Sequence, residues 1–86
     1  MKITKNMINE AMKRLKEQYP KFQFSRFRHT DFWTNTDVWN IRVQTDKGWF
    51  DKKFNVYSDF RKYNSEVIIV MIENSIENFL KERLQK

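Results

Sequence analysis

The chain has a single glycine, and it stands in Thr45-Asp46-Lys47-Gly48, between two runs of alternating character, DVWNIRVQ (37–44) and WFDKKFNVY (49–57). Gly takes positive φ without steric cost, so Asp-Lys-Gly after a β-branched run punctuates a tight hairpin. With 45–48 as the loop, Gln44 opposes Trp49, Arg42 opposes Asp51 and Asn40 opposes Lys53. The other face then carries Val43 with Phe50, Ile41 with Lys52 and Trp39 with Phe54. Side chains alternate along a strand, so this register divides the hairpin into a polar face and an apolar face. Such a division is expected where helices cover one side of an antiparallel sheet. Lys52 is out of place in the apolar set; it is expected to snorkel at an edge, or to mark a bulge at 52–53.

Residues 22–63 hold 12 of the 14 aromatics, and KFQFSRFRH (21–29) reads as a further strand, separated from the hairpin by the polar turn TNTD (34–37). Phe22, Phe24 and Phe27 share the inner face only if a bulge falls between 24 and 27, which turns Arg26 and Arg28 outward. Before the strands, TKNMINEAMKRLKEQYP places Ile8, Ala11, Met12, Leu15 and Tyr19 on one helical stripe. Thr4 or Asn6 can cap that helix and Pro20 stops it. Glu10 precedes Arg14 by four residues and Lys13 precedes Glu17 by four, which pairs part of the charge. Lys5, Asn9, Lys13 and Lys16 remain on a solvent stripe.

After the strands, Ile68, Ile69, Ile72, Ile76, Phe79 and Leu80 form a second stripe, capped by Asn64 or Ser65, with Val67, Val70 and Met71 off it. EVIIVMI (66–72) is compatible with a fourth strand, but β-branched residues oppose a helix only weakly, and one long helix is favoured. The fold class expected for 1–86 is α+β: a single small domain of order αβββα, with a three-stranded antiparallel sheet and both helices on one face.

Composition sets the outer bounds. A chain of 86 residues without Cys has neither disulfides nor Cys-ligated metal to supplement a small core. No apolar run reaches the ~18 residues of a membrane span, and MKITKNMINE has no signal-peptide stretch. A soluble, cytoplasmic protein is expected. The net charge of +6 is uneven: residues 1–21 carry six Lys/Arg against two Glu, and residues 64–86 carry three against four Glu. A basic excess over the first two-thirds of the chain points to a polyanionic partner, or simply to a soluble basic surface. Abundant Lys, Asn and Ile with one Ala suggest an AT-rich genome, such as that of a phage or mobile element.

The candidate site follows from the division of faces. Trp39, Phe50, Phe54 and Val56 are expected in the core. Trp49 and Tyr57 fall on the open side with Asn40, Arg42, Lys53, Asn55, Arg26 and Arg28, and Lys13 and Lys16 extend the basic set onto the first helix. Cations neutralise phosphates, amides and Arg read base edges, and aromatics stack on bases, so this face suits DNA or RNA. The plain alternative is a solvated face on which Arg42 only pairs with Asp51.

A rival class is a small inhibitor or adaptor docking on a larger host protein, with Trp33, Trp49 and Tyr57 as anchors. Val67, Val70 and Met71 would add a partner or homodimer patch, although burial under the sheet edge is the favoured expectation for them. A third reading makes His29 the proton-transfer residue of an RNase, with Arg26 and Arg28 on the phosphate. No second His, Cys or paired acidic set supports a metal site, no cofactor is expected, and a non-enzymatic role leads.

The order αβββα is shared by double-stranded-RNA-binding domains and by small HicA-type mRNA-interferase toxins. The Gly-Pro-His-type loop and Lys-rich helix start of the former are missing, since FRKYN (60–64) supplies only Arg61 and Lys62. The Gly-Ser-His turn of the latter is missing too, because RFRHT has the His without the Gly. No family is assigned on these residues.

Overall fold

In the computed structural model, residues 2–57 and 63–84 are described, and the element order is α1 (Lys5–Gln18), β1 (Gln23–Asp31), β2 (Thr36–Thr45), β3 (Gly48–Asn55) and α2 (Ser65–Leu84). The expected αβββα order is borne out, with an antiparallel sheet in the order β1-β2-β3. Thr4 caps α1 by accepting the Met7 amide on its side chain, and the helix ends at Tyr19, one residue before Pro20. The side chain of Asn64 accepts the Val67 amide at 2.9 Å at the start of α2. EVIIVMI belongs to this one 20-residue helix and not to a strand. The reason lies in its continuation: Ile68, Ile69, Ile72, Ile76 and Leu80 are all buried along one stripe, which a strand ending at 72 would break.

The second hairpin has the expected register throughout. Gln44 pairs with Trp49, Arg42 with Asp51, Asn40 with Lys53, Val43 with Phe50, Ile41 with Lys52 and Trp39 with Phe54. Gly48 closes the turn at φ +117°. No bulge occurs at Lys52; its ammonium extends over the Phe79 ring of α2 at 5.7 Å, the snorkelling alternative.

One core holds the molecule together. Ile3, Met7, Ile8, Ala11 and Leu15 meet Trp39, Ile41, Val43 and Val56 of the sheet and the buried stripe of α2. Met12, Tyr19, Phe22, Phe24, Phe50 and Phe54 pack around it, partly buried. Both helices therefore lie on the Trp39–Ile41–Val43 face. At about 1.5–3 kcal/mol for each large aliphatic side chain buried, this stripe outweighs any surface ion pair. The chain before α1 is tied down as well: Ile3 donates its amide to Val56 O, and Trp39 Nε1 donates to Ile3 O at 2.9 Å.

Three expectations are corrected. The first turn is 32–35 rather than 34–37: Asp31 accepts the Trp33 amide on its side chain and the Asn35 amide on its carbonyl, and Asn35 takes φ +53°. Thr36 and Asp37 are therefore strand residues. Secondly, β1 has no bulge and pairs continuously, with Phe24 opposite Val43, Arg26 opposite Ile41, Phe27 opposite Asn40 and Arg28 opposite Trp39. Strict alternation then puts Arg26 and Arg28 on the helix-covered side and Phe27 on the open side. An edge strand tolerates this because long cationic stems cover apolar surface while their heads reach water; Arg28 lies 6.0 Å from the Trp39 ring and pairs with Asp37 at 3.2 Å. Thirdly, Val67, Val70 and Met71 do not bury under the sheet edge and are exposed on α2.

Candidate functional site on the open sheet face

The face that no helix covers is built from alternate residues of three strands. β1 contributes Phe27, His29 and Asp31, β2 contributes Val38, Asn40 and Arg42, and β3 contributes Trp49, Asp51 and Lys53. Its centre is a diagonal row. The Arg42 guanidinium lies 4.2 Å from the Trp49 ring centroid on β3 and 5.4 Å from that of Phe27 on β1. Arg42 also donates to both carboxylate oxygens of Asp51, from Nε at 2.8 Å and Nη2 at 3.1 Å. This two-point pairing across the strands fixes the plane of the guanidinium. The Asp51 carboxyl is held below its ordinary value chiefly by that Arg42 hydrogen bond, and the Arg42 pKa is raised in return. Phe27 and Trp49 nevertheless remain 41% and 58% exposed.

Next to this row lies Asn40, two residues from Arg42 on the central strand, between Phe27 and Lys53. It is 1% exposed, the one buried polar residue of the described chain. Neither its amide nitrogen nor its amide oxygen makes a hydrogen bond of good geometry with any described residue. Its amide lies near enough to Asp51 to help hold that carboxyl ionised, which is a weaker relation than a formed bond.

Lys53 Nζ stands 3.6 Å from the Asp31 carboxylate, whose pKa is lowered first by the Trp33 amide and then by Lys53. The face thus carries two cations and two carboxylates in two pairs. Its aromatic content is concentrated, but its charge is balanced.

The other expected residues lie elsewhere. Tyr57 does not join Trp49: its hydroxyl is 3.4 Å from Arg28 Nη2, in a cluster with Thr30 and Asp37 at the end of the sheet. The Asp37 carboxyl there is held down chiefly by Arg28, then by Thr30. A polar hollow of about 470 Å³ opens beside this cluster, lined by Thr30, Asn35, Thr36, Asp37, Asn55 and Tyr57. Lys13 is exposed on α1. Lys16 closes the helix end instead, donating to the carbonyls of Pro20 at 2.9 Å and Phe22 at 2.5 Å.

Arg26 is partly buried on the helix side of β1, and its Nε has no hydrogen-bond partner among the described residues. His29 is on the opposite side, tilted against Phe27 at 5.6 Å, with Nδ1 3.3 Å from Thr30 O. The trio His29, Arg26 and Arg28 therefore does not converge on one phosphate. Among the described residues no group of three His, Asp or Glu could hold a metal ion.

Two features were not singled out from the sequence. Phe27 shares the inner face only if a bulge falls between 24 and 27, and no local signal decides that; the continuous pairing that sets Phe27 against Asn40 does. Phe32 sits beside Trp33 at the β1–β2 tip, the two 88% and 90% exposed in edge-to-face contact at 6.0 Å. Adjacent aromatics next to an Asx-type turn are the cue for that placement. No described helix is long and apolar enough to cross a membrane. Comparison with known proteins finds no matching family model, no matching curated protein and no matching solved structure.

Proposed function

We propose that the protein is a small non-enzymatic nucleic-acid-binding module that works through the open face of its sheet. The observation that carries this reading is the row Phe27–Arg42–Trp49: two exposed aromatic rings flanking a guanidinium on the sheet face that neither described helix covers. Flat rings in that setting are stacking platforms for bases, each stack contributing ~1–3 kcal/mol. Because Arg42 and Lys53 are already paired with Asp51 and Asp31, local affinity comes from stacking more than from phosphate neutralisation. The net charge of +6 supports the reading at longer range, by raising the encounter rate with a polyanion.

The test is fluorescence anisotropy of labelled DNA and RNA oligomers at low salt. Binding is expected, weakening as salt rises. Trp49→Ala and Phe27→Ala are each expected to lose roughly 5- to 150-fold in affinity, the equivalent of one stack. The melting temperature is expected to stay nearly constant, since both side chains are largely outside the core. No binding of any DNA or RNA at low salt would end this reading.

A second reading, docking on a larger protein, is favoured by one separate observation. Phe32 and Trp33 stand nearly free of the fold at the β1–β2 tip, and exposed aromatics are frequent interface anchors. A partner recovered with wild type and lost with Trp33→Ala, but kept with Trp49→Ala, would assign the tip to protein contact and leave the sheet face to its own test.

A further inference from the structure

Arg42 is a flat group held between two rings, two residues along β2 from a buried amide that lacks a well-formed hydrogen bond. We infer that its guanidinium occupies, within its own chain, the seat of a nucleobase from a single strand. This rests on the nucleic-acid reading above and names the strand type and the base-reading residue.

The argument has three parts. The first is shape. A guanidinium 4.2 Å from one ring centroid and 5.4 Å from another marks a slot that takes a planar group, and Trp49 and Phe27 line it on two different strands. A base paired in a duplex cannot enter such a slot, whereas an unstacked base of a single strand can.

The second part is the neighbour of that slot. Asn40 lies two residues from Arg42 on the same face of β2, opposite Phe27. Among the described residues neither polar atom of its buried side chain makes a hydrogen bond of good geometry, its relation to Asp51 falling short of one. A buried amide without a well-formed bond is costly in the free protein. To a base that takes the place of the guanidinium, that amide offers one donor and one acceptor side by side. Adenine presents the complementary pair on two of its edges, N6 with N7 and N6 with N1, so adenine is the base best matched.

The third part is where the displaced groups go. Arg42 leaves Asp51 for a backbone phosphate, exchanging one charge-assisted pair for another. Asp51 is not stranded, because Lys53 lies two residues along the same face and already acts on that carboxyl.

The experiment titrates the 86-residue chain with labelled single strands of about twelve nucleotides, within the site size of such platforms. Oligo-A and oligo-U are compared in RNA, and oligo-A and oligo-T in DNA. Wild type is expected to favour the adenine strands. Asn40→Leu, near-equal in size and apolar, is expected to fold with an unchanged or higher melting temperature and to lose that preference. The expected loss on oligo-A is roughly 5- to 150-fold, the value of one two-point contact to a base.

A second measurement does not depend on the variant: the side-chain amide resonances of Asn40 in wild type are expected to shift on saturation with oligo-A. Equal affinity of wild type for all strands, an Asn40→Leu variant that keeps the preference, or stationary Asn40 resonances would each overturn the inference. If strands bind and Trp49→Ala weakens them, the broader reading survives that failure. If no strand binds, or Trp49→Ala and Phe27→Ala change nothing, both fall together.

Discussion

Gly48 sits at φ +117° with nothing within 4 Å of where a Cβ would stand. Its requirement is conformational and not steric. Gly48→Ala is therefore expected to cost on the order of 1 kcal/mol through backbone strain alone. For a domain of this size that is a fall in melting temperature of ~4–8 °C; an unchanged value would show that the turn does not need glycine. The same residue explains why the second hairpin was legible in the sequence down to single pairs. A two-residue loop, Asp46–Lys47, followed by the only Gly leaves one register, and every pair from Gln44–Trp49 to Trp39–Phe54 follows. Arg26, Phe27 and Arg28 had no such marker. FQFSRFR alternates equally well with either phenylalanine inside, and the choice is made by the partner strand, which puts Phe24 against Val43 and Phe27 against Asn40. Half of the candidate site was thus readable, namely Asn40, Arg42, Trp49 and Lys53. Its other aromatic wall was not.

At the scale of elements, α2 shows how one helix presents two surfaces. Ile72 is 2% exposed and part of the core, while its neighbour Met71 is 42% exposed. Ile72→Ala is expected to destabilise by about 2–5 kcal/mol, the range for a large aliphatic side chain deleted from a packed interior. Met71→Glu is expected to stay within about 0.5 kcal/mol of wild type, as surface changes do. Urea denaturation of the two variants measures both; a large loss for Met71→Glu would mean that the outer side of α2 is covered. From composition alone, EVIIVMI is apolar on every side and fits helix or strand. The Ile76 and Leu80 positions beyond it decide, because they extend a 3.6-residue stripe that a strand cannot share. The α1 end of this packing is held by polar contacts, with Arg14 donating to both carboxylate oxygens of Glu66 at 2.7 and 2.9 Å and Gln18 to Glu73 at 2.6 Å.

For the whole molecule, a net charge of +6 coexists with four carboxylates that form ion pairs where the elements meet. Asp51 joins β3 to β2 through Arg42, Asp37 joins β2 to β1 through Arg28, Asp31 meets Lys53 across the sheet, and Glu66 joins α2 to α1 through Arg14. Each of these four carboxyls is held below its ordinary value, 3.8 for the aspartates and 4.5 for the glutamate. The leading cause is the Arg partner for Asp51, Asp37 and Glu66, and the Trp33 amide for Asp31. A carboxyl whose folded-state pKa is depressed binds protons more readily when unfolded, so stability is present above the unfolded value and is lost as pH falls through the folded one. Protonation also adds to a charge that is already positive, which increases self-repulsion in the compact state. The melting temperature is therefore expected to be level from pH 7 down to about 5 and to drop below about 4, where the unfolded carboxyls begin to titrate. Asp51→Asn is expected to melt lower than wild type at pH 7 and to show a shallower drop in acid, because its share of the linkage has been removed at every pH. A wild-type melting temperature that holds from pH 7 to about 2.5 would mean that these four pairs sit on the surface without tying the elements together.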